Sequence, residues 1–169
     1  MNIRTGQEQD RRGIAETIVE AFYDQFKALT TDKDAVAAGL TPMLHPERFT
    51  VAVDEQGAVV GTVAVSAAVA LRDEFYRPKV FSPGQAQLDF VAVREHARGQ
   101  RLAQKMLEHL LGKGKYALYT LDVVEGNEHV MPLYQSLGFQ ETGQEKEKNA
   151  WAKGFHFRHM MAYRPDTSA

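Results

Sequence analysis

Apolar side chains recur at Ile14, Ile18, Ala21, Phe22, Phe26 and Leu29, the three-and-four spacing that sets them on one face of a helix over 7–29. Residues 2–5 before it read as a short edge strand. The helical pattern repeats more weakly over 31–44, with Asp34 near its start and Thr41-Pro42 and His45-Pro46 as stop signals, and predicts a second, shorter helix. From Phe49 the period changes to two. Phe49, Val51 and Val53 alternate with polar or small residues, Asp54 to Gly57 carry turn chemistry, and 59–69 is rich in valine and alanine, which predicts a hairpin. Residues 71–87 are charged and broken by Pro78 and Pro83-Gly84, yet hold Phe75, Tyr76 and Phe81; connections of that length often carry function.

The second half alternates the two periods. A strand over 88–93 leads through polar residues to a helix whose apolar face is Leu102, Ala103, Met106, Leu107, Leu110 and Leu111, ended by Gly112 and Gly114. A strand over 116–124, a short helix over 128–137, a turn at Gly138-Phe139 into a strand, and a last strand over 155–163 complete the chain. The order β-α-α-β-β-β-α-β-α-β-β predicts a mixed α/β fold, α+β-like, forming one domain over 1–164 with a short tail at 165–169.

Composition narrows the chemistry. The chain has 169 residues, 44% of them hydrophobic, enough to bury a core without disulfides or a metal. Twenty Lys and Arg against 22 Asp and Glu leave a net charge of -2, which argues against nucleic acid as a partner. No cysteine is present, so disulfides, thiolate metal sites and a Cys nucleophile are excluded. His45, His96, His109, His129, His156 and His159 form no compact ligand set, and no metal is expected. With neither a signal-like apolar stretch nor a bilayer-length apolar run, the expected compartment is the cytoplasm, with no membrane partner.

The informative segment is 91–103, a buried strand, a basic turn with Gly99, then a helix. Uncapped N–H groups and the positive end of the helix dipole, with Arg98 and Arg101 beside them, would hold a pyrophosphate; the same residues also read as a solvated strand-to-helix turn. Neither G-x-x-x-x-G-K-[ST] nor G-x-G-x-x-G occurs, so nucleoside triphosphates and NAD fall behind.

Val93, Arg98 and Ala103 stand in register with V-x-x-x-x-[QR]-x-x-G-x-[GA], and this segment resembles the central motif of the GNAT superfamily of N-acetyltransferases, with Arg101 in place of the first Gly. Independently, 121–139 resembles the next motif of that family, L-x-V-x-x-x-N-x-x-A-x-x-L-Y-x-x-x-G-F. Leu121, Val123, Asn127, Leu133, Tyr134, Gly138 and Phe139 match, and Val130 replaces Ala. The resemblance extends over nearly the whole chain. It implies a GNAT-like fold, a twisted mixed sheet of about six to seven strands flanked by about four helices. It further implies acetyl-CoA as donor, with Arg98, Gly99, Gln100, Arg101, Leu102 and Ala103 at the pyrophosphate and the backbones of Val91 and Val93 along the pantetheine arm.

By the same resemblance, Asn127 hydrogen-bonds the pantetheine arm and Tyr134 sits near the sulfur as general acid. Each has a plainer reading, Asn127 as an ordinary N-cap and Tyr134 as a half-buried aromatic. Pro132 delays the start of that helix. Asp89 is the candidate base and Glu125 its rival, and each also reads as a solvated carboxylate. Phe22 and Tyr23 on the first helix, with Phe75 and Tyr76 in the long connection, are candidate walls of the acceptor pocket, although helical spacing alone places some of them in the core. Trp151 would pack at a subunit interface or under a loop. The expected activity is direct transfer of acetyl to a primary amine of a small molecule, peptide or protein in a ternary complex, with a homodimer as the expected assembly. The alternative is a non-catalytic acyl-CoA sensor or a structural subunit of the same fold.

Overall fold

The computed structural model describes residues 1–67 and 83–165, so Phe75 and Tyr76 lie outside the described residues. Seven strands, β1 (Asn2–Thr5), β2 (Phe49–Val53), β3 (Val59–Ala67), β4 (Gln85–Val93), β5 (Leu118–Val124), β6 (Gln140–Lys146) and β7 (Phe157–Tyr163), form one sheet in the order β1-β2-β3-β4-β5-β7-β6. Every neighbouring pair is antiparallel except β4 and β5. A parallel pair needs a crossover, and the amphipathic stretch after β4 supplies it as α4 (Leu102–Leu111). The other helices are α1 (Arg11–Ala21), α2 (Tyr23–Phe26), α3 (Lys33–Leu40), α5 (Met131–Ser136) and α6 (Ala150–Lys153).

Both faces of the sheet are covered, which explains why β2 is buried at every position although its sequence alternates. Val51 and Val53 pack with Ile14, Ile18 and Leu40 of α1 and α3. Ala52, on the opposite face, belongs to a second core cluster that holds Met106, Leu107 and Leu110 of α4 and extends to Tyr134 and Phe139 beyond β5. Gly138 holds φ +104° at the turn into β6, and a Cβ there would stand 2.8 Å from the Tyr163 ring, so both backbone and space demand glycine.

The single helix read over 7–29 is corrected to α1 and α2. It begins late because the Asp10 carboxylate takes Arg4 Nη1 at 2.6 Å and the Gln7 N–H at 2.7 Å, holding Glu8–Asp10 in a 3-10 turn. It breaks at Phe22 (φ -109°, ψ 17°), whose ring turns edge-on to Phe90 at 6.0 Å. Beyond α2 the chain is no longer helical, and Leu29 is 65% exposed rather than part of an apolar face. Two four-residue helices, α2 and α6, stand beyond the four expected, each too short to show a period. Trp151 on α6 is 79% exposed and packs under no loop among the described residues.

Strand β6 is exposed along nearly its whole length, and its sequence carries no alternation; pairing with β7 from Gln140↔Ala162 to Lys146↔Phe157 makes it a strand. His159 of β7 ties it down, with Nδ1 2.7 Å from Glu141 Oε1 and Nε2 3.4 Å from Glu128 Oε1. The Glu141 hydrogen bond, joined by Glu128, holds the imidazole above its ordinary value while burial opposes it. With the folded pKa raised, the stabilisation is complete below about pH 6.5, the unfolded value, and is lost as pH rises through the folded value. The stability gap between wild type and His159→Gln, measured by urea unfolding, is therefore expected to be about 1 kcal/mol or less at pH 5.5 and to close by pH 9. A gap independent of pH would remove the ion pairs as its source.

Candidate functional site

Strands β4 and β5 pair from Gln85↔Leu118 to Leu88↔Leu121 and then part, β4 running on to Val93 and β5 to Val124. A bulge causes the divergence. Thr62 faces Ala92 while Ala64 faces Asp89, so β4 spends one extra residue, and Phe90 takes the left-handed φ of 50°. A non-glycine residue there costs about 1–2 kcal/mol. Two contacts offset it: the Thr62 hydroxyl donates to the Phe90 carbonyl at 2.8 Å, and the Phe90 ring stacks on Phe49 at 6.4 Å. Past Leu88, no strand among the described residues pairs with β4 on its β5 side, which leaves an edge that an extended amide chain could join.

The opening is a cleft. Asp89 and Val91 line it from β4, Asp122 and Val124 from β5, Asn127 and Tyr134 from the turn and helix that follow, and Phe22, Gln25, Phe155 and Arg158 close its far end. Four sequence candidates, Asp89, Val91, Asn127 and Tyr134, thus meet in one place although they span 46 positions, and Phe22 joins them. Tyr134 is 6% exposed, and burial pushes its phenol well above the ordinary value, so the hydroxyl stays a proton donor across the whole working range of pH. Asn127 precedes the 3-10 turn Glu128–Val130, but its side chain makes no capping hydrogen bond. The N-cap reading therefore does not account for it, and the amide lines the cleft. Val93 lies past the cleft's lining, where its carbonyl takes a hydrogen bond from Arg98 Nε at 3.3 Å.

Glu125 points elsewhere. Its carboxylate accepts the His156 backbone N–H at 2.7 Å and lies 2.9 Å from His156 Nδ1, contacts that hold it below the usual carboxylate range. Tyr23 is not part of the cleft; its ring meets Phe26 edge-on at 5.3 Å, with Lys33 Nζ 4.5 Å from its centroid.

The turn after β4 is anchored on its inner side and open on its outer side. Arg94 folds back to α1, with Nε 3.6 Å from Glu20 and Nη2 3.9 Å from Glu16, and the Glu95 N–H donates to Glu20 at 2.8 Å. Arg98, Gly99, Gln100 and Arg101 are exposed. Gly99 has φ +85°, and a Cβ there would meet nothing within 4 Å, which leaves its backbone open to a ligand. No side chain caps α4, whose first turn begins with Leu102 and Ala103; the Leu102 side chain is core, and only its main chain faces the turn. Exposed cations, uncapped N–H groups and a parted strand edge beside them fit a diphosphate carrying an extended amide arm.

Arg101 itself stands at φ 56°, ψ 33°, the conformation a glycine adopts freely. Arg101→Gly is therefore expected to raise the unfolding free energy by about 1 kcal/mol, less the extra entropy of an unfolded glycine, as read by urea denaturation. A loss of stability would show that the Arg101 side chain makes a contact worth more than the strain.

Sequence reasoning missed Gln25, Phe90, Phe155 and Arg158, which lie between the cleft and a second, larger pocket against α1 to α3. Phe90 reads from sequence as a strand residue on the same face as Leu88, and only the bulge re-aims it. Nothing in the local pattern marks Arg158. It is 5% exposed and bridges Asp122 (3.1 Å) and Glu147 (2.6 Å), while Glu147 also holds Lys153 at 2.6 Å. Among the described residues, no group of three or more His, Asp or Glu is placed to hold a metal ion, and no helix is long and apolar enough to cross a membrane.

Comparison with known proteins adds three findings. The model of the acetyltransferase (GNAT) family matches residues 14–139. A 5-NmdU N-acetyltransferase of Pseudomonas phage PaMx11 is 34% identical over 68 residues, 40% of this chain and 48% of the relative, so the chain spans about half the length of the curated relative it matches. Among solved structures, an N-acetyltransferase from Staphylococcus aureus Mu50 superposes with a TM-score of 0.77 at 20% identity, over 96% of this chain and 100% of the other. The ribosomal-protein-S18-alanine N-acetyltransferase from Escherichia coli does so at 0.67 and 20% identity, over 99% and 96%. At these identities the structural likeness carries the fold alone.

Proposed function

This chain belongs to the acetyltransferase (GNAT) family, and from that premise we propose that it transfers an acetyl group from acetyl-CoA directly to a primary amine, with both substrates bound together. The observation that carries the reading is the parted β4–β5 edge with Asn127 and Tyr134 brought into its opening. Acetyl-CoA supplies an acetyl group activated as a thioester; transfer forms an N–C bond, breaks the C–S bond and releases one proton overall.

The residues divide the remaining work. Arg98 and the first-turn N–H groups of α4 hold the diphosphate, with Gly99 allowing close approach. The main chain of Val91 and Val93 and the Asn127 amide orient the arm. Asp89 takes the proton that the amine must lose, and the Tyr134 hydroxyl gives one to the departing sulfur. Direct transfer is favoured because the chain has no cysteine, and none of the described residues lining the cleft is a Ser or Thr that could carry the acetyl group in between.

The test is the melting temperature with CoA, acetyl-CoA, ATP and NAD added separately. A ligand at a hundred times its Kd stabilises the native state by about 2.7 kcal/mol. A shift restricted to the CoA compounds and reduced in Arg98→Ala is expected, followed by turnover with an amine. A CoA shift without turnover on any amine class would favour the sensor, and equal shifts with ATP would overturn the assignment of the cleft.

A further inference from the structure

The larger pocket bears on what the acceptor is. It holds 330 Å³ and is walled by Ile18, Phe22, Phe26, Val36, Leu40 and Phe90. Its charged lining side chains among the described residues are Lys153 and Arg158, and both are already matched. Arg158 Nη1 lies 3.1 Å from Asp122 and Nη2 2.6 Å from Glu147, whose other oxygen is 2.6 Å from Lys153 Nζ. Two cations thus face two carboxylates, and the wall is close to neutral. The pocket adjoins the cleft of Asp89 and Tyr134, with Phe22, Gln25, Phe90, Phe155 and Arg158 lining both, so a body seated among the aromatic rings lies next to the parted strands.

Resting on the acetyl-transfer reading above, we infer that the acceptor is a primary amine on a neutral, apolar body of alkyl or arylalkyl type. The chemistry works by exclusion as well as attraction. A second ammonium would leave water for a pocket where both carboxylates of the cluster are engaged, and no other carboxylate among the described lining residues would offset its desolvation. A carboxylate on the body would meet an Arg158 whose charge and two Nη atoms are already taken by Asp122 and Glu147, with only its buried Nε–H left to donate. An apolar body meets neither obstacle and exchanges water for the rings of Phe22, Phe26 and Phe90. Polyamines, aminoglycosides and free amino acids are therefore poor acceptors.

The experiment compares kcat/KM for 2-phenylethylamine and hexylamine with phenylalanine, spermidine and kanamycin, alongside melting temperatures with CoA and with 2-phenylethylamine alone. A preference of about 100-fold or more for the two apolar amines is expected. Two variants probe the pocket. Gly39 lines it from α3, and a Cβ there would meet nothing within 4 Å, so Gly39→Leu is tolerated by the backbone and fills the space. It is expected to raise the KM for 2-phenylethylamine about tenfold while the CoA shift persists. Met43, 41% exposed at the rim, can be exchanged for a carboxylate without burying it, and Met43→Glu is expected to move the ratio about tenfold toward spermidine. Preference for spermidine, kanamycin or phenylalanine, or no turnover of the apolar amines despite a CoA shift, overturns this inference and leaves acetyl transfer standing. Stabilisation by 2-phenylethylamine but not by CoA overturns acetyl transfer and leaves the pocket; stabilisation by neither overturns both.

Discussion

Arg158→Met is expected to lower the unfolding free energy by about 3–5 kcal/mol, because it removes one partner from a buried ion cluster and leaves the others in place. The guanidinium side chain is 6% exposed, and the carboxylates it joins, Asp122 and Glu147, are 10% and 6% exposed. Its carbon also lies 5.3 Å from the centre of the Phe155 ring, so packing is lost with the charge. Burial alone would raise the Glu147 pKa, but hydrogen bonds from Lys153 and Arg158 bring it down to about 2. A folded pKa below the unfolded one gives stability that is present in full above about pH 4.5, the unfolded value, and is lost as pH falls toward about 2.

Wild type should therefore lose stability on acidification through this window, and Arg158→Met, its carboxylates already destabilised, should lose less. Urea unfolding at pH 7 and at pH 4 measures both effects. A loss under about 1 kcal/mol at pH 7 would mean that the cluster is worth no more than a surface pair.

The second large effect is on rate. Tyr134→Phe is expected to lower kcat for amine acetylation by about 100-fold or more, the usual contribution of a positioned acid, with little change in melting temperature. Phenylalanine keeps the ring and its edge-on contact with Phe139 at 6.1 Å, so only the hydroxyl is removed. Because burial holds the phenol protonated, the deficit should be constant between pH 6 and 9 rather than growing on one side of a titration. A kcat within about threefold of wild type would assign protonation of the sulfur to solvent or another group. A matching fall in melting temperature would mark Tyr134 as a packing residue.

Much of this molecule was legible from local order in the chain. The period-two run at Phe49–Val53 and the stretch read as a last strand over 155–163 became strands, and the three-and-four spacing of Leu102, Met106 and Leu110 became α4. The stretch 121–139 was more informative because its matched residues include both the turn carrying Asn127 and the helix carrying Tyr134, so reading it located two cleft residues at once. Phe22 was found by helical spacing for a different reason. That spacing predicts an apolar face, and the face it predicted borders the larger pocket. Tyr23, its neighbour by one position, turns to Phe26 instead, a difference that spacing cannot resolve at a helix break.

Sequence alone thus determined the strands, the longer helices and their order, because hydrophobic periodicity and turn chemistry are set by residues within a few positions of each other. It also determined the motif residues and the absence of cysteine, from which direct transfer is argued. Tertiary structure alone decided the rest. The left-handed backbone of Phe90 exists because Thr62 and Phe49 hold it there, and the register of strand β6 is set by its pairing with β7. Arg158, which an exposed strand position would have suited equally well, is buried because Asp122, 36 residues away, and Glu147 meet it there. Each depends on partners brought together by folding, and a charge or a strained backbone pays its desolvation or steric cost only where such partners converge.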